Sequence, residues 1–274
     1  MHHIKKDTAM HVSMLYRYPL KSAGAEALEA TWVAARGFTS DRRWLIVDEN
    51  GRFITQREQP RLVYVSVERA QDDASIRLSV DGMPDCLISP PGEDGAQRPV
   101  VIWDDRVEAV DAGDAAAAWL SAYLETPCRL VYMHDAVRRE VDMKYGRPGD
   151  VVSFADGYPV LLTTEASLAD LNGRLESPIP MRRFRPNIVI DGADAYAEDG
   201  WREIRIGEVT FRVVKPCARC VMITLDPDAG VFQKEPLRTL AGYRRDGNKV
   251  FFGQNLIPSN EGMIRVGEPV EVLH

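Results

Sequence analysis

The stretch RRWLIVDENGRFITQ, residues 42–56, sets two short β-rich apolar runs on either side of Asp48-Glu49-Asn50-Gly51. Branched and aromatic side chains favour an extended backbone, and Asn-Gly tolerates the positive φ of a tight turn, so the stretch reads as a β-hairpin. Working outward, the texture persists. RLVYVSVERA (61–70), RVEAVDAG (106–113) and CRLVYM (128–133) read as strands, and farther on so do NIVIDGA, EIRIGEVTFRVV, CVMITLD, KVFFGQNLIP and MIRVGEPVEVL. Two segments break the pattern. DAAAAWLSAYLE (114–125) has the alanine content and apolar spacing of a helix, with Asp114 as N-cap and Thr126-Pro127 as its end. TEASLADLNGRLE (164–176) puts Ala166, Leu168, Leu171 and Leu175 on one helical face. Between them the polar interval HDAVRREVDMKYGRPGD (134–150) reads as a mobile loop near a domain junction. The expected fold class is mainly β with some α (α+β): two β-rich, barrel-like units with a helix in each.

With 274 residues, 45% hydrophobic and 27% charged, the chain can bury one large core or two moderate ones. A formal net charge of −7 argues against a nucleic-acid partner, so any anion must be held by a local basic cluster. The start, MHHIKKDTAMHVSMLYRYPLKS, has no signal-peptide core, and no run of eighteen apolar residues follows. No membrane span and a cytoplasmic location are therefore expected. Cys86 and Cys128 stand alone and read as small buried hydrophobes in a reducing compartment, and His2 and His3 are assigned no role.

The chemistry concentrates in KPCARCVMITLDPDAG (215–230), where Cys217 and Cys220 form a Cys-x-x-Cys pair. A structural zinc site needs four ligands, and His11, His134 and His274 are lone residues without ligand spacing. A thioredoxin-like pair sits at a helix start, whereas Val221, Met222, Ile223 and Thr224 favour an extended backbone. Two inert packed thiols remain a reasonable alternative. Lys215 and Arg219 flank the pair, however, and neighbouring positive charge favours thiolate, the form that ligates metal. One thiolate ligand in a basic pocket is the sharper reading, and spacing alone does not name its metal.

Other segments can share that pocket. YPLKS (18–22) brings Lys21 and Ser22, SDRRW (40–44) brings Arg42 and Arg43, and MRRFRPN (181–187) brings Arg182, Arg183, Arg185 and Asn187. Together these donors suit a phosphate and polar rings; taken singly, each run reads as a solvated face. Gly-rich phosphate loops, GxSxG, HExxH and EF-hand patterns do not occur.

The ordered set YPLKS, DRRWLIVDENGRFITQRE, FADGYPVLLTTEASLADLN, FRPNIVI, CARCVMITLDPDAG and a distal FFGQN resembles the MOSC-domain proteins that carry an N-terminal MOSC-type β-barrel domain. That group includes the amidoxime-reducing components and their bacterial relatives, and the resemblance runs from about Met14 to Val272. It implies an N-terminal domain over 1–128 and a MOSC domain over 129–274. It further implies a molybdenum cofactor, Mo-molybdopterin, whose metal takes one sulfur from the protein. Residue by residue, Cys220 matches the molybdenum-ligating thiolate. Lys21, Ser22, Arg42, Arg185 and Asn187 match cofactor-contacting positions. Cys217, Ala218, Arg219 and Thr224 surround the ligand loop, and Asn255 follows the FGQ stretch. Gly157-Tyr158 departs from the mitochondrial members, which have small hydroxyl residues there. The family also makes a pyridoxal phosphate-binding description possible.

The implied activity is a molybdenum-dependent oxidoreductase that reduces small N-hydroxylated substrates, N–O becoming N–H plus water. The sequence stops at His274 without a four-cysteine ferredoxin-like domain, so electrons are expected from a separate ferredoxin, heme or flavin reductase. Two other functions stay open: a persulfide or sulfur carrier acting through Cys220, and a non-catalytic protein that binds and delivers the cofactor.

Overall fold

The computed structural model describes residues 9–70 and 75–274; His2 and His3 lie outside them. Among the described residues the fold is built on four sheets, in line with the expected β-rich α+β class. The largest has nine strands. Along its main path run Val270–Val272, Glu203–Ile206, Val209–Arg219, Lys249–Pro258, Val160–Thr164, Ile188–Asp191, His11–Arg17 and Glu26–Leu28, and the short Arg245–Asp246 pairs with Lys249–Pro258. Sequence-distant segments thus share one sheet, since His11–Arg17 pairs antiparallel with Ile188–Asp191. A four-stranded sheet orders Trp44–Val47, Arg129–Tyr132, Asp105–Asp111 and Gln97–Ile102. Two three-stranded sheets complete the framework: Gly262–Arg265, Ala30–Ala34, Gly37–Phe38, and Ser66–Arg69, Ile76–Ser79, Cys86–Ile88. No helix of the described residues is long and apolar enough to cross a membrane.

The alternating strands bury their inward faces in distinct cores. One gathers Val12, Leu15, Ile188, Ile204, Phe211 and Leu256 against the large sheet; another gathers Trp44, Ile46, Leu62, Trp119, Leu120 and Leu130 under the helix Asp114–Leu124. Each large apolar side chain buried this way contributes about 1.5–3 kcal/mol. Cys128 is buried in the second core and Cys86 packs against its edge, so both behave as small apolar residues.

Local expectations hold with instructive differences. In the 42–56 hairpin Asp48 Oδ1 accepts from the backbone N–H of Asn50 and Arg52, Gly51 takes φ 76°, and the return arm makes a bridge at Phe53 instead of a full strand. Of 61–70, the first residues wind into the 3₁₀ turn Pro60–Tyr64, because Pro60 sets a helical φ and lacks a donor; the strand is Ser66–Arg69. Gly113, not Asp114, is the helix N-cap, with φ 93° that favours glycine, while Asp114 turns outward to pair with Arg129. The second helix is Glu165–Asn172, capped by the Thr164 side chain, which accepts from Ser167 N–H. Its buried face carries Ser167 with Leu168 and Leu171, because the Ser167 hydroxyl donates to the buried Glu198 carboxyl. CVMITLD is not a strand. Residues Val221–Thr224 form a 3₁₀ turn closed by the Thr224 hydroxyl donating to the Val221 carbonyl.

The interval 134–150 is tied down, contrary to the expected mobile loop. Arg139 is buried, pairs with Asp105 and donates to the carbonyls of Ser153, Ala155 and Asp156, while both carboxylate oxygens of Asp150 accept from Arg212 Nη2.

Candidate cofactor site

Strand Val209–Arg219 carries the two thiols to the rim of the large sheet. Pro216 cannot donate to the ladder, and the pairing with Lys249–Pro258 slips between Pro216 and Ala218, a bulge that re-aims the residues around Cys217. Cys220 follows the last paired residue in an extended conformation (φ −114°, ψ −174°), and the 3₁₀ turn then carries the chain away. The thiols part company here. Cys220 is exposed, whereas burial pushes the Cys217 thiol up and favours its neutral form. Arg57 Nη2 donates to Cys220 Sγ at 3.2 Å.

Cys220 stands on the wall of a cleft of about 170 Å³. Lys21, Ser22, Arg42, Arg185, Asn187, Cys217, Ala218, Arg219 and Asn255 line the same cleft, so segments up to 234 residues apart in number (255 − 21) converge on one space. Thr224 does not line it. Its side chain is buried and bonded within its own turn. Arg43 also points elsewhere, to the Met133 carbonyl and Asp135.

Cross-bracing explains the convergence. Lys21 N–H donates to the Trp44 carbonyl and Arg42 N–H to the Tyr18 carbonyl, locking the two N-terminal segments together. The buried Tyr18 ring lies between two guanidiniums, Arg42 at 4.1 Å and Arg185 at 4.2 Å, and its hydroxyl donates to the Pro186 carbonyl. Burial pushes Arg185 down to about 10, which still leaves it cationic at neutral pH. Asn187 accepts from Arg42 and from Leu161 N–H and donates to the Tyr16 carbonyl, so its amide fixes the framework. Ser22, Arg42 and Arg185 have φ of 69°, 46° and 53°, three of the seven left-handed non-glycine residues described. Such conformations cost of order 1–3 kcal/mol each and gather at functional sites.

The geometry adds residues that the sequence did not mark for the site, Gln56, Arg57, Asp156 and Tyr158, and brings in Arg183 of the MRRFRPN run. Arg57 comes directly after Gln56, the end of the 42–56 stretch, and no local pattern points it at a thiol; only the tertiary fold brings it 163 residues across to Cys220. Lys21 Nζ meets Asp156 Oδ1 at 2.5 Å. Burial pushes the Lys21 ammonium down against the pull of Asp156. For Asp156 the crowding of the site pushes upward, but Lys21, then Arg57, outweigh it and hold the carboxyl far below the ordinary range. Gln56 Nε2, Tyr158 Oη, Arg183 Nε and Arg219 Nη2 are buried polar atoms without a protein partner, and all four belong to cleft-lining residues. Buried donors left this way cost about 1–3 kcal/mol each and call for a ligand. Six cations (Lys21, Arg42, Arg57, Arg183, Arg185, Arg219) line the cleft; Lys21 pairs with Asp156, Arg42 with Asp41 and Arg183 with Asp226, which leaves Arg57, Arg185 and Arg219 without a carboxylate partner among the described residues. The arrangement suits an anionic ligand rich in acceptors, with one accessible sulfur for a soft metal. Among the described residues no three His, Cys, Asp or Glu side chains gather to hold an ion, so a four-ligand zinc site has no ligand set.

Comparison with known proteins matches two family descriptions to the chain. The family described as "MOSC N-terminal beta barrel domain" matches residues 9–127, and "MOSC domain" matches residues 149–271. The chain is 37% identical to human mitochondrial amidoxime-reducing component 1 over 96% of its length and 82% of that protein's. It is 39% identical to the mouse counterpart, with the same coverage, and 36% identical to bovine mitochondrial amidoxime reducing component 2 over 94% and 82%. On these grounds the chain belongs to the MOSC family, among the two-part members that include the mitochondrial amidoxime-reducing components.

Proposed function

We propose that this protein is a molybdenum cofactor-dependent reductase of small N-hydroxylated compounds, R–N–OH + 2 e⁻ + 2 H⁺ → R–N–H + H₂O, with electrons supplied by a separate ferredoxin, heme or flavin reductase. The observation that carries this reading is the exposed Cys220 thiol on the wall of a cleft with six cations and four unpartnered buried polar atoms. The names of its relatives support the same reaction class. The residues present fit the group: one accessible sulfur for the metal, cations for the pterin's phosphate, and orphaned donors for its ring.

In this reading Cys220 is the protein's ligand to molybdenum, and Lys21, Arg42, Arg185 and Arg219 neutralise the anionic pterin. Gln56 Nε2, Arg183 Nε and Arg219 Nη2 donate to ring acceptors. When bound, the cofactor supplies the redox-active metal through which electrons reach the N–O bond. Burial pushes the Tyr158 hydroxyl well up, so it keeps its proton and is a donor at every working pH. Asp156, held ionised beside Lys21, balances one of the cations.

The test starts with protein purified from a host that makes the cofactor. Molybdenum should be near-stoichiometric, Cys220→Ser should abolish it, and benzamidoxime should turn over anaerobically with an artificial reductant. Metal-free protein that releases sulfide on reduction would replace this reading with a persulfide carrier. Molybdenum without turnover would replace it with a delivery protein.

A further inference from the structure

The cleft has an outer brace that none of the assigned roles uses. Strands Gln97–Ile102 and Asp105–Asp111 form a hairpin whose tip is Trp103-Asp104. Trp103 occupies the tip with φ 54°, where glycine or asparagine is usual, and the residue is 47% exposed. A bulky aromatic at such a place breaks two local rules together, which is the mark of a functional constraint.

Its contacts say what the constraint is. The Arg57 guanidinium lies over the Trp103 ring at 5.0 Å, and the same guanidinium donates to Cys220 Sγ at 3.2 Å. Trp103 Nε1 donates to Asp156 Oδ1 at 3.3 Å, the atom that also takes Lys21. Phe53 meets the indole edge-on at 5.1 Å and carries Lys21 Nζ over its own ring at 5.7 Å. Lys21, Asp156, Trp103 and Phe53 therefore close a ring of contacts, from which Arg57 reaches to the sulfur.

We infer that Trp103 is a positioning residue for the reactive sulfur, holding Arg57 against Cys220 from the tip of a hairpin in the N-terminal region. The inference rests on Cys220 being that sulfur, as the proposed function has it. A long arginine side chain loses considerable rotamer freedom when fixed, and an aromatic face supplies the opposing attraction without withdrawing its charge. A carboxylate partner would hold Arg57 as well but would cancel the field it places on the sulfur.

The test uses the full chain prepared without cofactor and needs no turnover. Cys220 is alkylated at one fixed pH with iodoacetate or with iodoacetamide, and the labelled peptide is quantified by mass spectrometry. Both reagents attack the same thiolate, so the ionised fraction cancels and the rate ratio, normalised to a free thiol, reads local charge. Arg57→Gln should lower the ratio about fivefold, the effect of one unit charge at about 4 Å in water. Trp103→Ala should lower it by a similar factor, the double variant no further, and Trp103→Phe should keep most of it. An unchanged ratio in Trp103→Ala, or additive losses in the double variant, would overturn the inference. If Trp103→Ala does not fold, Trp103→Leu against Trp103→Phe carries the comparison. Loss of molybdenum binding or turnover in the wild type would sink the reductase reading while leaving the ratios to judge Trp103.

Discussion

At the scale of single residues, the two members of the Cys-x-x-Cys motif have unlike surroundings three positions apart. Cys217 is half-buried beside a bulge; Cys220 stands open under a guanidinium. Sequence reading singled out the pair because few residue types carry such chemistry. It found Lys21, Arg42 and Arg185 by their clustering, yet it missed Arg57, Asp156 and Tyr158, whose significance exists only in three dimensions. Thr224 was misjudged through its neighbour: adjacency to a ligand loop says nothing about which way a side chain turns once the backbone leaves the extended state. Arg185 gives a direct test. Its guanidinium flanks Tyr18 and donates to the Ala23 carbonyl at the cleft wall. Arg185→Ala should weaken cofactor retention by roughly ten- to a hundredfold, the worth of one charge-assisted hydrogen bond of about 1.5–3 kcal/mol. Molybdenum content after dialysis, compared with wild type, measures it.

Among elements, the strands were readable and the short turns were not. β-Branched runs such as NIVID and EIRI announce themselves because alternation is a local property. The turns at Pro60–Tyr64 and Val221–Thr224 involve residues of β-preferring type that adopt 3₁₀ geometry because of a proline in one case and a side chain-to-backbone bond in the other. Asp111 shows how the four-stranded sheet is fastened. It accepts from Arg98 and Arg129, whose strands flank its own, and from the backbone of Gly113. Burial opposes its ionisation, but the two guanidiniums and the N–H prevail and hold it below the ordinary carboxylate range. A depressed folded value means the contribution is present above the unfolded value of about 4 and fades as pH falls through the folded one. Asp111→Asn should cost about 2–3 kcal/mol near neutral pH, discounted for the partly exposed arginines, and the gap to wild type should narrow below about pH 4. Denaturant titrations at neutral and acidic pH check both statements.

At the scale of the whole molecule, an acidic protein keeps a basic hollow. The net charge of −7 gives no hint of it; the six cations are hidden in the sum because they come from distant segments. This separation has a measurable effect. A ligand bound to the native state alone raises stability by mass action, so protein from a cofactor-deficient host should melt below protein from a competent one. Salt should slow cofactor uptake by the apo form, since a charged entrance steers anions less as the Debye length shortens. Thermal scans of the two preparations and uptake rates in stepwise salt are the measurements. The pairing of His11–Arg17 with Ile188–Asp191 reaches beyond stability. During synthesis the first strand leaves the ribosome long before the partner it needs, and Lys249–Pro258, which neighbours the thiol-bearing strand, comes later still. The hollow cannot exist until both strands are made, so under the proposed function the cofactor enters only after that, and for that whole interval an unpaired edge waits exposed to whatever chaperone shields it.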